Sequence, residues 1–387
     1  MRLGLIKSTG TDPYKNLALE RYLLETVAKD QVILYLWQNK HTVVIGRNQS
    51  ALSECRIQKL KSDGGLLARR LSGGGSVYHD LGNLNFTFLA PTDLFDESLQ
   101  TSVILYALKL LGIQAEKTGR NDLLVEGKKF SGHAYYHTRN HSYHHGTLLI
   151  HADLENMATY LNPSPLKLKA KGVASVKSRV GNLADVLPGL SVEAVARALQ
   201  EAFFAVYAGK AELALNHGHE SFALGSDQNT VTTKTPSLSF EEDTFTSGND
   251  TSASKHSNLA FEEISLESLG DKARNQIESY QEEFASRKWI LKGENPCQYS
   301  LEDRFEWGCV RVDWDEENNR FKRIALYSDG LDADFLEAIP HALERCEISL
   351  SSITEALKPL IKETSGSSQE QKELYVKDLA NLITSRR

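Results

Sequence analysis

Three consecutive glycines stand inside residues 69–86, RRLSGGGSVYHDLGNLNF, behind two arginines and ahead of a histidine and an aspartate. Glycine loses more conformational entropy on folding than other residues, so such a run is kept where backbone bends sharply or passes close to another group. Backbone N–H groups on such a loop can hold phosphate or carboxylate oxygens. Arg69 and Arg70 could donate charge-assisted hydrogen bonds to the same anion. A glycine-rich hairpin with two surface arginines is the alternative, and this stretch alone leaves both open.

A second stretch, residues 119–136 (GRNDLLVEGKKFSGHAYY), offers a lysine for chemistry. We interpret it as two strands that turn at residues 127–128. Because side chains alternate along a strand, Lys129 should share a face with Ser131, and Lys128 should take the opposite face. Only one of the two lysines should therefore point into a site as a compact positive charge. A solvated, charged hairpin tip is the alternative.

A group of histidines follows: His133, His137, His141, His144, His145 and His151. The first three are spaced four residues apart, which would suit metal ligands on one face of a helix. The segment is not helix-like, however, because it is rich in tyrosine and leads into a strand. Polar positions on a β-hairpin, with one or two histidines lining a pocket, are the alternative to a metal site.

A local basic stretch occupies residues 167–183, KLKAKGVASVKSRVGNL, inside a protein whose net charge is −7. It could be a mobile loop that closes over an anionic ligand, or a solvated basic loop. No G-x-S-x-G nucleophile motif occurs in the chain. None of the four cysteines falls inside these stretches, which disfavours a covalent cysteine mechanism.

Composition restricts the compartment and the partners of the 387-residue chain. The negative net charge argues against bulk nucleic-acid binding. No apolar run approaches the roughly 18 residues that a membrane span needs, and the N-terminus lacks a signal or transit pattern. The cysteines are scattered without a C-x-x-C pair, which suits a reducing compartment. We therefore predict a cytoplasmic protein that binds neither nucleic acid nor membrane.

The apolar pattern predicts alternating helices and strands, that is, an α/β (α+β) fold. Asp12 should cap a helix that begins at Pro13. The apolar runs 32–37 and 42–46 are predicted to form a β-hairpin. Further strands are predicted at 66–70, 84–90 and 146–152, and further helices at 101–112, 153–161, 191–207 and 267–288.

Two composition changes divide the chain. Residues 226–258 contain 14 serines and threonines among 33 residues and few large apolar ones. Such a segment cannot bury enough surface to offset its ordering entropy, so we predict a disordered insertion. Gly293 and Pro296 mark a boundary. We predict a large domain over 1–292 and a small α/β domain over 298–387.

Together these stretches, in this order, resemble the bacterial-type lipoate–protein ligase family. The resemblance also includes DPYKNLALE and TVVIGRNQ near the start, and RFEWGCVRVDWD and ALYSDGLDADFLEAIPHAL near the end. It implies a large mixed-sheet catalytic domain, related to biotin ligases, followed by a small accessory domain. A side chain on the triple glycine would then block the lipoyl tail or its carboxylate.

The resemblance also implies an activity. ATP and lipoate would give lipoyl-adenylate and pyrophosphate, and a lysine of an acceptor protein would then displace AMP. The implied partners are lipoate and the lipoyl domains of 2-oxoacid dehydrogenase E2 subunits and of the glycine-cleavage H protein. ATP and Mg²⁺ would be required.

Site residues follow from the same resemblance. Lys129 would be catalytic and would contact both substrates. The positions expected to bind ATP are Arg70, Gly75, Ser76, Val77, Tyr78, Asn83, Asp122 and Lys129. The positions expected to bind lipoate are Ser72, Gly73, Gly74, His79, Lys129, Gly132 and Ala134. Asp122 is the candidate Mg²⁺ ligand, because hard oxygen ligands suit that ion. His133 departs from the family pattern, which usually has a small residue there.

Three alternatives remain at this point. The chain could be an ATP-independent octanoyl or lipoyl transferase on the same fold. A biotin ligase is compatible with the fold, although its own glycine-rich signature is missing. From a different class, the chain could be a non-catalytic lipoate- or metal-binding protein.

Overall fold

A computed structural model describes residues 1–119, 121–162, 179–209, 260–263, 269–292 and 294–385. The predicted insertion at 226–258 and most of the basic stretch at 167–183 lie outside the described residues. Within the described residues, no helix has the length and apolar character required to cross a membrane.

An eight-stranded mixed sheet forms the larger part, in the order β11-β1-β2-β6-β10-β9-β8-β7. Its strand β1 runs parallel to β2 and β11, and the remaining neighbours are antiparallel. The strands are β1 (Arg2–Lys7), β2 (Gln31–Trp37), β6 (Asn83–Pro91), β7 (Glu116–Thr118), β8 (Asp122–Val125), β9 (Lys128–His137), β10 (His141–Leu149) and β11 (Ala260–Glu263).

Helices cover both faces of this sheet, which explains why β2 is buried at every residue. One core packs α4 (Glu97–Leu110) and α7 (Val192–Tyr207) against the sheet, and the other packs α1 (Pro13–Thr26) and α8 (Asp271–Ala285). Asp12 caps α1, as predicted. The helices of the larger part are α1 (Pro13–Thr26), α2 (Ala51–Glu54), α3 (Ile57–Ser62), α4 (Glu97–Leu110), α5 (Leu154–Tyr160), α6 (Leu183–Val186), α7 (Val192–Tyr207), α8 (Asp271–Ala285) and α9 (Arg287–Leu291).

A second, three-stranded sheet carries the glycine loop. It has the order β4-β3-β5, with β3 (Thr42–Ile45), β4 (Leu66–Arg69) and β5 (Val77–His79). The predicted hairpin between 32–37 and 42–46 is therefore wrong. Strand β2 already has β1 and β6 as neighbours, so β3 has no free edge to pair with and joins a different sheet. An apolar, β-branched run predicts a buried strand but not its partner.

The C-terminal part has a separate core beneath a three-stranded antiparallel sheet. Its strands are β12 (Tyr299–Phe305), β13 (Gly308–Glu317) and β14 (Arg320–Ser328). Its helices are α10 (Ala333–Leu343), α11 (Leu350–Leu357), α12 (Leu360–Glu363) and α13 (Gln369–Thr384). This unit has the α/β character that the sequence predicts; the exact domain boundaries stay a prediction.

Backbone hydrogen bonds join this accessory unit to the glycine loop and to the turn after β3. The N–H of Gly74 donates to the carbonyl of Gly330 at 3.1 Å, and the N–H of Ser328 donates to the carbonyl of Asn48 at 2.9 Å. The Asn48 side chain donates in return to the carbonyl of Ala333 at 2.7 Å. The glycine loop is therefore enclosed between the two units.

Candidate active site

A cleft of about 180 Å³ lies between the glycine loop, strands β8–β10 and the edge of the accessory unit. Its polar lining comes from cations, amides, histidines, two hydroxyl side chains and the carboxylates of Asp122 and Asp329. Its apolar lining comes from Leu17, Trp37, Val44, Val77, Ala134 and Leu331. Small-molecule sites commonly combine an apolar wall with a few convergent polar groups. The cleft is thus the candidate active site.

Close backbone approach requires glycine at one position of the triple run, Gly73, and at Gly46, which packs against the loop. A Cβ on Gly73 would lie 2.2 Å from the carbonyl oxygen of Gly330, and a Cβ on Gly46 would lie 2.2 Å from that of Gly74. Gly74 also has a φ of +87°, which disfavours other residues. A Cβ on Gly75, by contrast, would meet open space. The expectation that the glycines make room for a lipoyl tail is thus corrected at Gly73, where they make room for the accessory unit.

The two arginines before the glycines are both buried, but their side chains donate hydrogen bonds to different parts of the structure. Arg69 lies outside the cleft and, among the described residues, donates only to backbone carbonyls, which corrects its predicted role as an anion ligand. Arg70 lines the cleft, but it donates to the Ser72 hydroxyl and to the carbonyls of Val44, Gly73 and Gly75. Burial lowers the pKa of Arg70 to about 10. Arg70 therefore holds the glycine loop, whereas Arg69 holds the turn after β3 against residues 289–290.

Lys129 brings a positive charge into the cleft. Its ammonium lies 2.6 Å from one carboxylate oxygen of Asp122, and Arg179 pairs with the other oxygen. Burial lowers the pKa of Lys129, and the charge of Asp122 opposes that shift. Backbone hydrogen bonds tie Lys129 to the end of the basic stretch, since its N–H donates to the carbonyl of Arg179 and its carbonyl accepts from Gly181.

A β-bulge turns Lys129 towards the cleft. The pairing register of β8 with β9 shifts by one residue: Leu123 pairs with Ser131, but the next residue, Leu124, pairs with Lys129. Ser131 is consequently buried outside the cleft lining, where its hydroxyl bonds to the His133 ring at 3.0 Å, whereas Lys129 lines the cleft. The predicted choice of Lys129 for the cleft agrees with the structure. The predicted alternation with Ser131 is wrong, because bulges re-aim side chains.

Two buried donors in the cleft lining have no partner among the described residues. His79 accepts from the Asn39 amide at Nδ1, 3.1 Å away, so its Nε2 carries the proton and finds no acceptor. The Nδ2 of Asn85 is also buried and unpartnered, while its Oδ1 accepts from Asn83 at 3.0 Å. Unpaired buried donors are rare in folded proteins, and a ligand oxygen would satisfy them.

Two family models match this chain. Residues 12–204 match the lipoyl protein ligase A/B catalytic domain, and residues 295–377 match the bacterial lipoate protein ligase C-terminus. The chain is also 36% identical over 343 residues to the lipoate-protein ligase A of Psychrobacter cryohalolentis, covering 89% of this chain and 88% of that protein. The chain belongs to the lipoate–protein ligase family.

Solved structures agree with the fold of this ligase. P. falciparum LipL1, in complex with lipoate, aligns with a TM-score of 0.69 at 22% identity over 98% of this chain and 100% of its own. A lipoate-protein ligase A bound with ATP aligns with a TM-score of 0.53 at 21% identity, over 75% of this chain and 98% of its own. The predicted α/β fold class, with its small C-terminal unit, is confirmed.

A third solved structure is of the bipartite lipoate protein ligase from Thermoplasma acidophilum, which was determined together with its E2 lipoyl domain. It aligns with a TM-score of 0.55 at 22% identity, over 77% of this chain and 98% of its own. At this identity the likeness concerns the fold alone.

Most of the predicted site residues of the ligase meet in the cleft. They are Arg70, Gly74, Gly75, Ser76, Val77, His79, Asp122, Lys129, Gly132 and Ala134. Four others do not line it: Ser72, Gly73, Tyr78 and Asn83. Tyr78 lies in a core beneath the small sheet, where its hydroxyl bonds to His41 at 2.8 Å. Ser72 is fully buried, and its hydroxyl bonds to His145 at 2.7 Å.

Other lining residues of the ligase were not among the ATP- and lipoate-binding positions expected from the sequence. They are Leu17, Trp37, Val44, Asn85, Asn121, His133, His145, Gly146, Thr147, Arg179, Arg304, Asp329 and Leu331. The last three come from the accessory unit: Arg304 begins the stretch RFEWGCVRVDWD, and Asp329 and Leu331 lie in ALYSDGLDADFLEAIPHAL. Two histidines of the predicted group line the cleft, as the hairpin interpretation expects. Among the described residues, no cluster of three or more potential metal ligands occurs.

Asp122 does not fit the role of a Mg²⁺ ligand in this arrangement. Both of its carboxylate oxygens are paired, one with Lys129 and one with Arg179. A metal ion at that carboxylate would lie against two positive charges and would have to displace them. The geometry therefore offers no metal site at Asp122.

Proposed function

We propose that this ligase joins lipoic acid to a lysine of a lipoyl domain in two steps, through a lipoyl-adenylate intermediate. The observation that supports this most is Lys129, a partly buried cation between the glycine loop and an apolar wall. P. falciparum LipL1 was solved in complex with lipoate, and a lipoate-protein ligase A was solved bound with ATP. A cleft for this reaction must hold one acid and one nucleotide against a shared positive charge.

In the first step, a carboxylate oxygen of lipoate attacks the α-phosphorus of ATP, and the bond to the β-phosphate breaks. Pyrophosphate leaves with the electron pair of that bond. The approach of two anions is unfavourable without a fixed positive charge, and Lys129 supplies one where water is largely excluded. Its ammonium is already held by Asp122, so little reorganisation is needed before the reaction.

In the second step, the neutral amine of the acceptor lysine attacks the carbonyl carbon of the mixed anhydride. An amide bond forms, AMP leaves with the bonding pair, and the surplus proton of the amine goes to solvent. Lys129 can stabilise the negative charge that develops on the carbonyl oxygen. The same residue thus serves both steps, because the negative charge of each step develops at the same acyl–phosphate linkage.

The proposed positions of the substrates follow from the lining. Gly75, Ser76 and Val77 would hold the nucleotide together with Lys129, and the apolar wall would bury the lipoyl tail at about 0.8 kcal/mol per methylene. We also propose that Tyr78 and Asn83 bind ATP, but only through their backbone atoms. We propose that Mg²⁺ binds together with the phosphates of ATP, because this ion often keeps several water ligands and takes few ligands from the protein.

We also propose the acceptor proteins and the cellular compartment of this ligase. The acceptors would be lipoyl domains of 2-oxoacid dehydrogenase E2 subunits and the glycine-cleavage H protein. All four cysteines are free thiols, which suits the cytoplasm. A transferase with a cysteine nucleophile is disfavoured, because no cysteine is among the described residues that line the cleft.

The deciding experiment measures pyrophosphate release from ATP with lipoate, without any protein acceptor. A ligase releases pyrophosphate under these conditions, and a transferase or a carrier does not. Mass spectrometry of an apo lipoyl domain incubated with ATP, Mg²⁺ and lipoate should then show one lipoyl adduct. Folded protein that yields neither product would refute the proposal.

A further inference from the structure

Four cationic side chains line the described part of the cleft, and they differ in how far their donors are engaged. Arg70 donates to one hydroxyl and three backbone carbonyls of its own loop and neighbouring strand. Lys129 and Arg179 share the carboxylate of Asp122. The fourth cation is Arg304, which comes from the accessory unit.

Arg304 is half-buried near the end of strand β12. Its Nη1 donates to the sulfur of Cys309 at 3.2 Å, the residue opposite it on β13. A thiol is a weak acceptor, and among the described residues no carboxylate lies within salt-bridge distance of this guanidinium. Most of the donor capacity of Arg304 therefore remains for a ligand.

The docking of the accessory unit determines which part of the cleft Arg304 lines. The Gly74–Gly330 hydrogen bond and the contact of Leu331 with the loop hold this unit against the glycines. Arg304 therefore lies in the same cleft as Gly75 and Ser76, the positions proposed for the nucleotide. Lys129 reaches the cleft from the separate strand β9.

We propose that Arg304 binds the β- and γ-phosphates of ATP and is a catalytic residue of the adenylation step. The inference rests on the proposed function. When the α–β bond breaks, negative charge develops on the leaving pyrophosphate, and a guanidinium fork matches phosphate oxygens in geometry and charge. Lys129 neutralises the carboxylate and the α-phosphate, so the remaining charge of the triphosphate needs a different cation. Transfer from lipoyl-adenylate, which lacks these phosphates, does not involve Arg304.

The first test separates the two steps. Arg304→Ala should raise KM for ATP and lower kcat/KM for pyrophosphate release about 10- to 100-fold, the usual effect of losing a charged hydrogen bond. KM for lipoate should stay within twofold. Transfer from synthetic lipoyl-adenylate to an apo lipoyl domain should also be unchanged. Arg304→Lys should recover part of the loss, because it keeps the charge and loses the fork.

The second test uses inorganic pyrophosphate and AMP as separate probes. Inhibition by pyrophosphate should weaken about tenfold or more in Arg304→Ala, whereas inhibition by AMP should not change. Arg320→Ala is the matched control, since Arg320 lies on strand β14 of the same small sheet and donates to the backbone carbonyl of Arg345. It should leave both inhibition constants unchanged.

The outcomes distinguish this inference from the proposed function. If the wild-type protein releases no pyrophosphate, the proposed function fails. If it does and Arg304→Ala keeps the wild-type KM for ATP, Arg304 does not touch the phosphates and the inference is wrong. An equal loss in both steps, or a change in KM for lipoate alone, would also overturn it, because either would show a structural or acid-binding role.

Discussion

Gly132 lies directly beneath the ammonium of Lys129: a Cβ built on this glycine would be 2.6 Å from Nζ and 2.9 Å from Cε. The φ of Gly132 is not in the left-handed region, so its backbone does not require glycine. What requires glycine is the path of the lysine side chain, which crosses this position to reach Asp122. Gly132 is therefore a positioning residue for Lys129.

Gly132→Ala should keep the fold and impair the chemistry. The end of a lysine side chain can move aside, so we expect the melting temperature to change little. The displaced ammonium would no longer be fixed between the two substrates, and a misplacement of about 1 Å can cost about 10²-fold in rate. Single-turnover formation of lipoyl-adenylate measures the effect.

Gly10→Ala serves as the control for that variant. A Cβ on Gly10 would meet only the Ser8 hydroxyl at 4.0 Å, and Gly10 does not line the cleft. It should leave both stability and adenylation unchanged. A Gly132→Ala protein with full adenylation activity would show that Lys129 tolerates displacement.

The two adjacent lysines should differ sharply when removed. Lys129→Ala should lower adenylate formation by about 10²–10³-fold, the usual cost of one preorganised donor. Lys129→Arg should recover only part of this, because a planar fork cannot replace a compact ammonium. Lys128 is exposed, so Lys128→Ala should change the rate only a few-fold. If Lys128→Ala were the more damaging change, the assignment of Lys129 would be wrong.

Local patterns predicted the elements better than their pairing. Capping residues and apolar periodicity located helices such as Val192–Tyr207 almost to the residue. The partner of a buried strand depends on which edges the rest of the sheet leaves free, and that information is not local. For this reason β2 and β3 were predicted as a hairpin although they lie in different sheets.

The candidate site shows the same limit. Residue types and order led to Lys129 and the glycine loop, which do meet in the cleft. The bulge that re-aims Lys129 depends on its register with β8, and the strand pattern alone implies regular alternation. Arg304 is more than 150 residues away in the chain, and only the docking of the accessory unit brings it to the cleft.

Acid should destabilise the protein through its buried histidines. Burial lowers the pKa of His79 and of His133 to about 3. An unfolded histidine binds a proton near pH 6.5, so between about pH 6.5 and 3 the unfolded state holds more protons, and stability falls as the pH falls. Each such histidine should cost about 2 kcal/mol between pH 7.5 and pH 5.0.

Urea unfolding of His133→Gln at these two pH values measures this contribution. The variant should lose about 2 kcal/mol less than the wild type on acidification, whatever its stability at pH 7.5. His151 is exposed, so His151→Gln should retain the wild-type pH dependence. An unchanged pH dependence in His133→Gln would show that His133 takes up a proton without cost to the fold.

The glycine loop allows a test of the contact between the two units. A Cβ on Gly73 would lie 2.2 Å from the backbone oxygen of Gly330, which cannot move aside as a side chain could, whereas one on Gly75 would meet open space. Gly73→Ala should therefore loosen the accessory unit, at the cost of about 1–3 kcal/mol that overpacking usually carries. Gly75→Ala should not loosen it.

Hydrogen exchange at two amides reports on this contact directly. The N–H groups of Gly74 and Ser328 donate across it, to Gly330 and Asn48 respectively. In Gly73→Ala both amides should exchange about 5- to 150-fold faster, the change that corresponds to 1–3 kcal/mol. In Gly75→Ala the Ser328 amide should exchange at the wild-type rate. Equal protection of Ser328 in both variants would mean that Gly73 is not needed for the approach of the accessory unit, and the explanation of the triple glycine would have to come from the substrates instead.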